Sequence, residues 1–143
     1  MTTLCYHKGE LAWDSRTTAG NIIQKDNAQK RVLYKGVHFV LCGSVPEFPA
    51  FMQAYVEGTG GANLSVSAFV VHPEGLYRAS TDETGVWRTK LSYNDVAALG
   101  SGMEFAIAAV DCGKTPREAI KVAAKRDNCT GGLVRTMSIP RWK

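Results

Sequence analysis

Apolar residues recur with a period of two in some stretches of this chain and near 3.6 in others, and the switches between the two rhythms delimit its elements. Thr2–His7 and Glu10–Asp14 are two short β-prone runs, and the Lys8-Gly9 pair between them reads as a tight hairpin turn. The described chain is thus expected to open in a strand, whereas the first residues of most domains are loose. Ile22–Ile23 and Lys30–Tyr34 predict a second strand pair, and Val37–Cys42 is a continuous apolar run suited to a buried strand. After Gly43 the pattern changes. Ser44 and Glu47 have capping-box spacing, with Pro46 in the first turn. Phe48, Phe51, Met52, Tyr55 and Val56 follow as one apolar helix face, ended by Gly58. Leu64–Val71 and Gly75–Ser80 read as another hairpin, and Thr84–Lys90 as a further strand. Gly100-Ser101-Gly102 opens an Ala-rich helix over Met103–Cys112, closed by Gly113. Thr115 and Glu118 form a second capping box around Pro116, starting a helix to about Arg126. Lys125 and Arg126 stand at its C-terminus, where cations suit the dipole. Leu133–Ile139 predicts a closing strand.

Strands, helix, strands, two helices, strand: this order with one apolar face per helix implies helices layered on sheets, an α+β class. Two sheets between helices is the natural arrangement, although periodicity alone does not separate it from a single-sheet fold. A length of 143 residues suits one domain spanning 1–143, and 45% hydrophobic residues are enough to build its core.

The net charge of +4 is mild and its Lys and Arg are scattered, without the basic stripe and interleaved aromatics of a nucleic-acid surface. Cys5, Cys42, Cys112 and Cys129 form no CxxC pair, and His7, His38 and His72 lack ligand spacing with them, so no zinc site or other cofactor is expected. No apolar stretch approaches a membrane span, and no leader with a basic start and an apolar run is expected before Thr2. These features predict a cytoplasmic protein with reduced thiols and no membrane partner.

Thr2 carries the candidate chemistry. A threonine at position 2 is common and by itself means nothing. An N-terminal threonine, however, can use its own α-amine as general base for its hydroxyl. That amine has a pKa of roughly 7.7–8, so much of it is neutral at cellular pH. The chemistry needs Met1 to be trimmed, which the small Thr2 side chain permits, and a first residue fixed in a strand.

TTLCYHKGELAWDSRTTAGNIIQKDNAQKRV resembles the opening of proteasome β-subunits and of the bacterial HslV peptidase. Both begin with a terminal Thr, a strand turn, an Asp-Ser-Arg-x-Thr element and then a Lys one hairpin later. LCGSVPEF is similar to the family's glycine before its first long helix, AALGSGMEFAIAA to its Gly-Ser-Gly, and KRDNCTGG to its Arg-Asp-x-x-Ser-Gly. The blocks occur in family order from Thr2 to about Gly132.

The resemblance implies the four-layer α-β-β-α sandwich of N-terminal-nucleophile (Ntn) hydrolases, in a compact bacterial or phage-like form. It implies a threonine peptidase with Thr2 as nucleophile and base, and Asp14 holding a Lys30 ammonium beside the Thr2 hydroxyl. An ammonium about 4 Å away contributes roughly 4 kcal/mol at an effective dielectric near 20, favouring an alkoxide. Gly43 would give its N–H to the oxyanion, and Ser101, Asp127 and Thr130 would bracket the terminal amine. Ser101 is also placed to be a plain helix cap. Arg16, Thr18 and Ser44 would line the bound substrate. The implied partners are identical subunits in a homo-oligomeric ring, an ATP-driven unfoldase and an unfolded polypeptide substrate. A catalytically inactive ring protein and a small-molecule amidohydrolase are the competing readings. Thr130 stands where the family has Ser, and Trp13 and Ser44-Val45-Pro46 replace smaller residues, which predicts a reshaped specificity pocket.

Overall fold

The computed structural model describes residues 2–143. The first hairpin pairs β1 (Thr3–His7) with β2 (Glu10–Trp13), and Lys8 and Gly9 both adopt positive φ, 43° and 84°. That is the backbone twist a two-residue turn needs to match the twist of its strands. β3 (Thr17–Ala19) and β4 (Ile22–Lys25) form a separate two-stranded sheet.

This corrects the expected second strand pair. Ile22–Lys25 folds back on Thr17–Ala19 through Gly20 at φ 59°, and does not pair with the strand after Lys30. That strand, β5 (Arg31–Tyr34), turns through Lys35 and Gly36, at φ 49° and 80°, into β6 (Val37–Gly43). The two turns split what the apolar pattern alone joined.

A 3-10 turn at Val45–Glu47 leads into α1 (Phe48–Glu57), which Gly58 caps in the left-handed region. Ser44 makes no side-chain cap. Glu47 instead accepts from the Ser65 amide at 2.6 Å, so the expected capping box is replaced by a tether to the next segment. β7 (Val66–His72), β8 (Gly75–Asp82) and β9 (Gly85–Lys90) complete an antiparallel five-stranded sheet in the order β5-β6-β7-β8-β9. β10 (Val96–Gly100), which the pattern did not signal, pairs with β1 and begins the second sheet, β10-β1-β2-β11, closed by β11 (Arg135–Ser138).

α2 (Met103–Asp111) follows β10, and α3 (Pro116–Arg126) starts at the Thr115/Glu118 capping box with both reciprocal bonds formed. Side chains alternate faces along each strand, and three apolar clusters result. Leu4, Tyr6, Leu11 and Trp13 of one sheet meet Val40, Cys42, Phe69 and Leu76 of the other. Cys5, Ala12 and Ala98, on the opposite face of the four-stranded sheet, pack on Ala106, Val110, Ala119 and Ile120 of α2 and α3. Phe39, Leu41, Ala68 and Val70 pack on Phe51 and Met52 of α1. No helix is long and apolar enough to cross a membrane among the described residues.

Candidate active site

Thr2 stands immediately before β1, Asp14 immediately after β2, and the hairpin register brings the two ends together: the Asp14 amide donates to the Thr3 carbonyl at 3.3 Å. Lys30 precedes β5, and its carbonyl accepts from the Leu41 amide of β6 at 3.0 Å. The five-stranded sheet thereby delivers Lys30 to the end of the four-stranded one. Its Nζ lies 2.6 Å from Asp14 Oδ1 and donates to Thr2 Oγ1, which in turn donates to Asp14. All three side chains are buried, Asp14 completely and Lys30 to within 7%.

Asp14 accepts two further bonds, from the Thr3 amide at 3.3 Å and the Gly131 amide at 2.9 Å. A buried carboxylate needs such donors on every lone pair to offset its lost hydration. Burial pushes the Lys30 ammonium below the ordinary lysine range, against the pull of Asp14 toward the charged form.

A hydroxyl–carboxylate chain flanks Thr2 on its other side. Thr3 Oγ1 and Thr130 Oγ1 are 2.6 Å apart, Thr130 Oγ1 donates to Asp127 Oδ2 at 2.7 Å, and Ser101 Oγ donates to the same oxygen at 2.5 Å. Ser101 Oγ also lies 3.5 Å from the Thr2 carbonyl. Ser101 is therefore no helix cap: α2 is capped by Gly102 without a side-chain bond. Burial works to raise the Asp127 carboxyl, but the bonds from Ser101, Thr130 and the Cys129 amide outweigh it and hold the group below the usual carboxylate range.

Two glycines are obligatory here. At Gly100 (φ 98°) a Cβ would fall 1.8 Å from the Thr2 carbonyl oxygen, and at Gly43 (φ 115°) it would fall 2.1 Å from that of Ser65. Gly43 sits on the wall of a cavity of about 610 Å³ that opens onto Thr2 and Lys30. Thr18, Ser44, Val45 and Pro46 line it, as does Arg16. The Arg16 guanidinium is engaged at the wall, on both oxygens of Asp26 at 2.8 and 3.2 Å and on the Asn128 carbonyl at 2.9 Å.

Trp13 is not part of this cavity. It is 1% exposed in the core between the sheets, with Nε1 donating to Gln29 Oε1 at 3.1 Å. The expectation that Trp13 reshapes the pocket is thus corrected, because strand alternation turns it inward; Ser44-Val45-Pro46 do stand at the cavity. Cys42 also lines the cavity, but burial pushes its thiol up to about 12, so at neutral pH it is a small protonated hydrophobe. Among the described residues no group of three or more His, Cys, Asp or Glu is placed to hold a metal.

The sequence reading missed Gly131, whose amide holds Asp14, and Thr3, which ties β1 to Thr130. No local signal marks a backbone donor more than a hundred residues away. The Thr3 hydroxyl was readable in principle from its position on the Cys5 face of β1, toward α2.

An antiparallel α/β fold thus gathers a threonine, a lysine and an aspartate at the open end of its first hairpin. No protein-family model and no curated protein matches the chain. Solved structures do. BPH of Thiobacillus denitrificans, in complex with epoxomicin, is 14% identical with a TM-score of 0.66 over 97% of this chain and 98% of its own. The same protein in a second structure gives 15% and 0.67 over the same shares. Eukaryotic HslV from Trypanosoma brucei is 18% identical, with a TM-score of 0.70 over 94% of this chain and 97% of that one. At these identities the likeness is one of fold, and it extends over nearly the whole of each chain.

Proposed function

We propose that the protein is a threonine-type peptidase of the proteasome/HslV kind, with Thr2 as nucleophile once Met1 is removed. Met1 lies outside the described residues. The contact of Lys30 Nζ with Thr2 Oγ1, backed by Asp14 and opening onto a substrate-sized cavity, is the observation that carries this reading.

In the proposed cycle the freed Thr2 amine takes the Oγ1 proton as the oxygen attacks a peptide carbonyl. The Lys30 ammonium stabilises the forming alkoxide, and the Gly43 N–H receives the oxyanion. A donor in that role is worth on the order of 10²–10³ in rate. Collapse expels the leaving amine, which takes the proton from the Thr2 amine. Water, deprotonated by the same amine, then cleaves the Thr2 ester and frees the second product. Ser101, Asp127 and Thr130 orient the terminal amine, while Arg16, Thr18 and Ser44 line the peptide.

The three apolar clusters support a single four-layer α-β-β-α domain of the Ntn-hydrolase type. The HslV-type fold supports a cytoplasmic homo-oligomeric ring that encloses the sites and receives unfolded polypeptide from an ATP-driven unfoldase. Enclosure has a physical reason, since an open site of this kind would cut its neighbours.

Intact mass of the purified protein, before and after a peptide epoxyketone, tests the reading. Loss of Met1 with one adduct per chain, abolished in Thr2→Ala, is expected. A chain that keeps Met1 and stays unmodified overturns it and favours a catalytically inactive ring protein. Reaction with small amides but not peptides favours an amidohydrolase.

A further inference from the structure

Three cations stand on the wall of the cavity, Arg16, Lys25 and Lys30, and no Asp or Glu does. Two of the three are already matched. Lys30 is bound to Asp14, and Arg16 is held by Asp26 and the Asn128 carbonyl. The Lys25 side chain makes no hydrogen bond or ion pair among the described residues and is exposed at the rim.

Its cross-strand partner matters as much. Thr17 and Lys25 are register partners at the end of the β3–β4 hairpin, beside the bulge between Thr17 and Thr18. Directly opposed residues of an antiparallel pair present their side chains on the same face, and both residues line the cavity. Thr17 Oγ1 is a buried polar atom without any hydrogen-bond partner, a condition that native structures seldom leave unmet. Thr17 itself is half-buried at the cavity wall. An unpaired ammonium and an unpaired hydroxyl on register partners lining one cavity offer a donor set for a carboxylate.

We propose that Lys25 and Thr17 form a recognition site for an acidic side chain of the peptide lying in the cleft, making Lys25 a specificity-determining residue. The ligand class rests on the peptidase reading above. Glu47, the acidic residue nearest in sequence to the opposite wall, is occupied with the Ser65 amide and does not compete. With every lining charge positive, basic side chains meet repulsion from Lys25 that nothing on the wall relieves.

The test uses a peptide series in which one position at a time, on each side of the scissile bond, carries Glu, Gln or Lys. Cleavage by the assembled wild-type protein is compared with binding of the same labelled peptides to the Thr2→Ala protein, read by fluorescence anisotropy. At one position Glu should exceed Gln by about two- to fivefold in kcat/KM and in affinity, the range of a solvent-exposed ion pair, with Lys below both. The preference should shrink as salt rises. Lys25→Glu should invert the Glu/Lys order, and Thr17→Val should lower the Glu/Gln ratio.

Equal binding of Glu and Gln peptides at every position, a ratio unmoved by Lys25→Glu, or no peptide binding at all overturns the proposal. Because the Thr2→Ala measurement needs no turnover, a protein that fails to cleave or to label refutes the peptidase reading while the carboxylate site is still read.

Discussion

Asp14→Asn keeps the shape of a fully buried side chain and removes its charge. The Lys30 ammonium, whose side chain is 8% exposed, then loses the counter-ion that stood 2.6 Å away. Removing one partner of a buried pair costs about 3–5 kcal/mol, because the other charge is left without either water or a counter-charge. At about 2.1 cal/mol/K per residue, a chain of 143 residues unfolds with an entropy near 0.3 kcal/mol/K, so Tm should fall by about 10–17 °C.

Lys30 can relieve part of that by shedding its proton, at about 1.4 kcal/mol for each unit its pKa drops. Burial already holds it below the ordinary value of 10.5, and loss of Asp14 lowers it further. Between the depressed folded value and 10.5 the unfolded chain binds more protons than the folded one, so stability must rise with pH across that window. The rise should be larger in Asp14→Asn than in the wild type. The double variant Asp14→Asn/Lys30→Met leaves no buried charge and should lose less than the sum of the single losses, by about 1 kcal/mol or more. Thermal and urea unfolding at equal protein concentration measure all three. A loss under about 1 kcal/mol for Asp14→Asn at pH 7, with the double variant strictly additive, would refute the claim that this pair is a coupled buried unit.

Gly43→Ala places a methyl 2.1 Å from the Ser65 carbonyl oxygen at a φ of 115°. Strain at such a position costs about 1–3 kcal/mol before the overlap is counted, and an unchanged melting curve would contradict it. Thr115→Ala removes the hydroxyl that accepts from the Glu118 amide at 3.2 Å. It should cost about 1 kcal/mol, near 3 °C in Tm, with epoxyketone labelling of Thr2 unaltered; slower labelling would show that α3 is coupled to the site. Asp127 lies below the ordinary carboxylate value of 3.8, so its contribution to stability is present above that pH and fades as pH falls through the folded value. Asp127→Asn should therefore flatten the acid limb of a stability–pH profile, and an identical limb would argue against the Ser101 and Thr130 bonds.

The sequence alone determined what short-range physics decides. Lys8-Gly9 supplies the positive φ pair of a hairpin, so β1 and β2 followed directly from it. Thr115 and Glu118 satisfy each other's amides within one turn, so the start of α3 was readable too. Thr2, Asp14 and Lys30 were legible as a group because ordered blocks resembling a known family marked them.

Pairing partners, side-chain facing and distant backbone donors were decided only by the tertiary structure. Ile22–Lys25 turned back through Gly20 because a nearby left-handed turn closes a shorter loop than the strand past Lys30 does. Ala97 and Ala98, with little β preference of their own, became strand by pairing with β1 more than ninety residues away. Trp13 went to the core between the sheets, and the Gly131 amide came to Asp14, because two sheets pack on each other in three dimensions. Apolar period constrains which face of an element is buried but carries no term for what lies opposite it, and the meeting of Thr2 with Asp14 and Lys30 depends on what lies opposite.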